Sequence, residues 1–101
     1  MVLIYITCKD QEEAIKLGKI VLDRKIAACI NTWPIKSISR DGNEELKEIQ
    51  EVVLLIKTVE QRVRQVEEVL SANHSYKVPC IATIYTDRIN VDYKEWLTRL
   101  V

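Results

Sequence analysis

The sequence predicts an α+β sandwich whose elements follow the order β-α-β-β-α-β, with one more helix at the C-terminus. Three observations predict it. The runs Val2–Cys8 and Val52–Lys57 are nearly continuous in apolar, β-branched residues, as strands in the middle of a covered sheet are. Residues 11–24 and 59–72 repeat apolar side chains at spacings of three and four, the pattern of a helix with one buried face. Asp41-Gly42 is a turn signal between two extended stretches, so the second and third strands form a hairpin.

The elements follow in chain order. After the first strand, Asp10 offers an oxygen as helix N-cap, with Glu13 three residues on. Ala14, Leu17, Gly18, Val21 and Leu22 form the apolar face of a helix over Gln11–Arg24. Gly18 lies on that face, where its cost against alanine of ~1 kcal/mol calls for close approach to a sheet. Ile26–Arg40 is extended, and Pro34 places this strand at an edge or a bulge because it donates no ladder hydrogen bond. Glu44–Thr58 is its hairpin partner. The hairpin is longer than a sheet in one such chain can pair, so it projects or pairs elsewhere. Thr58-Val59-Glu60-Gln61 reads as a capping box that opens the second helix, over Val59–Ala72. Cys80–Thr86 is the last strand, opened by Val78-Pro79. Asn90 caps a short helix with Val91, Tyr93, Trp96, Leu97 and Leu100 on its apolar side. This order is the ferredoxin-like split βαβ arrangement, which puts the first and third strands at the centre of the sheet.

The 101 residues make one domain, 1–101, with 48% apolar and 30% charged residues. Fifteen basic residues balance fifteen acidic ones. A net charge of zero provides no field that would draw nucleic acid or an acidic membrane, and it opposes self-association poorly. No basic leader and no run of ~20 apolar residues is present, so the expectation is a cytoplasmic protein with no membrane partner. Cys8, Cys29 and Cys80 are odd in number and widely spaced, neither a disulfide framework nor a zinc motif. They are expected to be reduced, inert and buried in apolar strands.

One histidine and two glycines exclude a two-histidine zinc site, a phosphate-cradling glycine loop and a GxSxG elbow. No catalytic set remains. The polar loop Asn73–Lys77 holds the unusual chemistry, with an imidazole, a phenol and an amine together. His74 is either a helix-ending residue near the last carbonyls, where an imidazolium is favoured, or a metal or anion contact. Trp33 either closes the edge of the core or anchors a subunit contact.

The segments ITCKDQEEA, LDRKIAACIN, EVVLLIKT, HSYKVPCI and VDYKEWL, in this order and nearly this spacing, resemble the CutA family of divalent-cation tolerance proteins. The resemblance implies a homotrimer of ferredoxin-like subunits with long hairpins packed between neighbours, and no enzymatic activity. It departs in the hairpin: Ser39-Arg40-Asp41-Gly42-Asn43 stand where the family carries aromatic residues and a Trp before a Gly-Lys step. Ser75 replaces the family's proline after the loop histidine. Copper is associated with members that carry a thiol on the first strand and a doubled histidine in this loop. Here Ile6 and Asn73 occupy those positions, and His74 alone remains.

The reading is therefore a cytosolic, homotrimeric binding or regulatory protein linked to divalent metal-ion tolerance. It needs no cofactor and allows weak divalent metal binding, copper in particular, with His74 as the candidate ligand. Tyr76, Lys77 and Lys57 are candidates for lining a ligand cleft. The rival is a PII-like trimer that senses a small molecule or nucleotide between subunits. Its phosphate contacts would have to come from Lys57, Lys77, Arg40 and Arg88. An acylphosphatase-like enzyme would need an arginine in a phosphate loop after the first strand, where Thr7-Cys8-Lys9-Asp10 stand instead.

Overall fold

The computed structural model describes residues 1–101. The strands are β1 (Val2–Cys8), β2 (Cys29–Arg40), β3 (Leu46–Thr58) and β4 (Ile81–Tyr85). The helices are α1 (Gln11–Asp23), α2 (Val63–Asn73) and α3 (Val91–Leu100), and a single 3-10 turn, Glu60–Arg62, leads into α2. The sheet runs β2-β3-β1-β4 and every neighbouring pair is antiparallel. The two strands that carry the continuous apolar runs, β1 and β3, are thus its centre, and Pro34 lies on the edge strand β2.

Alternation divides the sheet into two faces. Val2, Ile4, Ile6 and Cys8 of β1 and Val52, Leu54 and Ile56 of β3 join Ala14, Leu17 and Val21 of α1 and Val66 and Leu70 of α2 in one core. A Cβ on Gly18 would collide with the Ile30 side chain, and Leu54 lies next to it. Glycine lets α1 approach the sheet closely there. Leu3, Tyr5, Leu55 and Lys57 point to the other face. There the Lys57 ammonium lies 5.5 Å from the centroid of the α3 residue Tyr93, a cation–π contact.

β1 pairs with β3 only from Val2↔Thr58 to Cys8↔Val52. β2 and β3 continue together from Ile35↔Glu51 to Arg40↔Leu46, a two-stranded ribbon beyond the sheet. It stretches the molecule to 48 Å along an axis, against 25 and 21 Å across.

Three local expectations are corrected. The Thr58 hydroxyl does not cap a helix; fully buried, it donates to the Ile26 carbonyl at 2.6 Å. No side chain caps the 3-10 turn or the N-terminus of α2. Asn90 holds the N-cap position of α3, but its side chain makes no capping bond. At the ribbon tip Asp41 accepts from the Asn43 and Glu45 amides at 2.8 and 3.0 Å. Glu44, not Gly42, takes the left-handed conformation, at φ 66°. Asp41 therefore sets the turn through its carboxylate.

Candidate functional site

The polar residues of the loop after α2 converge on the C-terminal end of β1. α1 begins there because Asp10 caps it: its carboxylate accepts the Glu13 amide at 2.8 Å. The Glu13 side chain turns back and accepts the Lys9 amide at 3.0 Å through Oε1 and the Ser75 amide at 2.9 Å through Oε2. One carboxylate thereby ties the β1–α1 junction to the loop 74–80. Its burial opposes ionisation, yet the hydrogen bonds from Ser75 and Lys9 outweigh that and hold it below the ordinary carboxyl value.

His74 ends α2, donating its amide to the Leu70 carbonyl at 3.0 Å. Its ring does not seek the last helix carbonyls. Nε2 lies 2.8 Å from the Thr7 carbonyl of β1, and Nδ1 accepts the Tyr76 amide at 2.9 Å. A carbonyl only accepts and an amide N–H only donates, so these partners select the neutral ring with its proton on Nε2. The Tyr76 ring is tilted against the imidazole, with centroids 4.8 Å apart. Its hydroxyl donates to Glu51 Oε2 at 2.7 Å, and Glu51 is itself buried. Burial first, then Glu51, pushes the phenol pKa well up.

Behind this layer lies the Cys8 thiol, fully buried, its pKa pushed up to about 12 by burial and then by Glu13, Glu51 and Asp10. Cys8, Glu13 and His74 each bring a donor atom to within 4.8 Å of the others. A polar groove of about 370 Å³, with Lys9, Glu12, Glu13, Lys16 and Ser75 in its walls, opens beside them.

The fold thus joins His74 to Tyr76. Lys77 is exposed on the same loop. Lys57 is not brought there: its register partner on β1 is Leu3, four residues or about 13 Å along the strand from Thr7. Glu13 and Glu51 hold the loop, but in the sequence Glu13 marks only a helix start and Glu51 lies within the extended stretch Glu44–Thr58. The signal for the first was its spacing from Asp10. Glu51 gave none beyond a carboxylate abutting an apolar strand. The cysteines divide as well. Cys8 is a core residue, whereas Cys29 is half-buried and Cys80 exposed, because β4 begins only at Ile81.

A sequence model of the family described as "CutA1 divalent ion tolerance protein" matches residues 2–99. The chain belongs to the CutA1 family. Among curated relatives, the divalent-cation tolerance protein CutA of Archaeoglobus fulgidus is 34% identical, the match covering 97% of this chain and 95% of that one. The Thermotoga maritima protein of that name is 29% identical over 100% and 99% of the two chains. The solved structure of the A. fulgidus protein, described as periplasmic, superposes with a TM-score of 0.93 at 33% identity, covering 99% of this chain and 98% of that one. CutA1 from Pyrococcus horikoshii gives 0.91 at 32% identity, with 98% and 96% covered. The ferredoxin-like architecture and its projecting ribbon are therefore the CutA1 fold.

Proposed function

We propose that this CutA1 protein is a cytosolic homotrimer that binds a divalent metal ion, copper among them, in support of metal-ion tolerance and without turning over a substrate. The observation that carries the metal reading is the hold on His74. Its ring is oriented by a backbone carbonyl at 2.8 Å, the kind of outer partner that metal-ligating histidines use. The absence of turnover is supported by how the site's groups are engaged. Both imidazole nitrogens have backbone partners and the phenol is bound to Glu51, which leaves neither as a free base beside a substrate. Three free cysteines suit a reducing compartment, and no helix is long and apolar enough to cross a membrane.

The trimer reading is supported by the ribbon. A lone two-stranded ribbon is marginal in water, and this one exposes Ile38, Leu46 and Ile49. The PII-like alternative is less well supported, since Lys57 is engaged with Tyr93 rather than free for a phosphate. Light scattering should give three times 11.7 kDa. Copper titration should show weak binding that His74→Ala removes without changing the mass. A monomer, tight binding that survives His74→Ala, or thermal stabilisation by nucleotides and not by metals would overturn the reading. A bound ligand at 100 times its Kd adds about 2.7 kcal/mol, which a melting shift detects.

A further inference from the structure

We propose that Cys8, Glu13 and His74 together form a latent site for one borderline or soft divalent cation per chain, of the Zn2+ and Cd2+ class. It rests on the metal-binding reading above and gives it a ligand set. The three side chains come from separate elements, the end of β1, the first turn of α1 and the end of α2. Their donor atoms nonetheless lie within 4.8 Å of one another. Zinc bonds nitrogen at about 2.0 Å and sulfur at about 2.3 Å, so small side-chain shifts bring the three around one ion.

One sulfur, one nitrogen and one oxygen suit zinc or cadmium. Magnesium and calcium take all-oxygen shells. Three protein ligands also leave a fourth position for water, and a polar groove runs along Glu13 and Ser75 on one side of the cluster. The outer contacts are in place. Glu13 keeps the Lys9 and Ser75 amides on its two oxygens, each of which has a second lone pair. The imidazole must exchange one backbone partner for the ion. Leaving Nδ1 costs Tyr76 one hydrogen bond, while Nε2–H keeps the Thr7 carbonyl. Leaving Nε2 instead would turn an Nδ1 proton against the Tyr76 N–H. The geometry favours the first exchange. Cys8 and Glu13 are buried, and Glu13 and the half-buried His74 are already hydrogen-bonded. The Cys8 thiol must also release its proton to solvent as the metal–sulfur bond forms. The site therefore holds an ion moderately and closes without one.

The test is a titration of the purified full chain with Cd2+ alone, read by the ultraviolet thiolate-to-cadmium charge-transfer band. The Cys29→Ser/Cys80→Ser variant leaves Cys8 as the sole thiol, and it should show the band at one ion per chain. Cys8→Ala, checked for folding by circular dichroism, should lose it. Glu13→Gln and His74→Gln should weaken binding at least tenfold, and excess Mg2+ should not displace the ion. A band that survives Cys8→Ala, or cadmium bound by the double variant without a band, would overturn this ligand set while leaving the metal-binding reading standing. No binding of Cd2+, Zn2+ or Cu2+ at all would overturn both.

Discussion

Thr58 and Glu13 are two polar side chains that the fold buries and then satisfies. The fully buried Thr58 hydroxyl closes on the Ile26 carbonyl. Thr58→Val keeps the shape and orphans that carbonyl. The expected loss is about 1–3 kcal/mol, measured by urea unfolding, with Thr58→Ser retaining most of the stability. Glu13 acts through charge. Its pKa is lowered in the folded chain from the ordinary 4.5, so the carboxylate contributes stability above the unfolded value and loses it as pH falls through the folded one. Glu13→Gln should therefore be less stable than wild type at pH 7. The gap should narrow from about pH 5 downward, as melting curves across pH will show.

The end of α1 shows how an element is stopped without the usual residue. Lys25 has φ 59°. Its amide reaches the Leu22 carbonyl at 3.0 Å and the Ile26 amide reaches Val21 at 3.2 Å. This is a Schellman motif, and Ile26 and Val21 are both in the core. The left-handed position costs a lysine energy that glycine avoids. Lys25→Gly is expected to stabilise the protein by about 0.5–1 kcal/mol. For a chain of this size that raises the melting temperature by a few degrees, on the order of 4–8 °C per kcal/mol.

The ribbon governs the molecule as a whole. Register puts Ile38 and Leu46 on one of its sides and Ile35 and Ile49 on the other, so each side carries apolar side chains near a tip whose residues are exposed. Partner subunits on both sides would cover them. Ile38→Lys and Ile49→Lys should each shift the light-scattering mass from three times 11.7 kDa toward a single chain. Far-ultraviolet circular dichroism should stay nearly unchanged, because the core of β1, β3, α1 and α2 lies outside the ribbon. A trimer mass retained in both variants would contradict this role.

Local pattern carried the fold. The apolar runs of β1 and β3, the three-and-four spacing of α1 and α2, Asp10 as a cap, Pro34 on an edge and Gly18 against the sheet all follow from forces between near neighbours in sequence or from a single periodicity. Five ordered segments carried the family. The site was decided elsewhere. Cys8 and His74 are 66 positions apart, and so are brought together only when β1 and α2 pack on one core. Likewise Thr58 left its local capping partners for Ile26, and the His74 ring left the helix end for Thr7. A buried polar group takes whichever partner packing presents to it, and that partner is fixed by the tertiary structure.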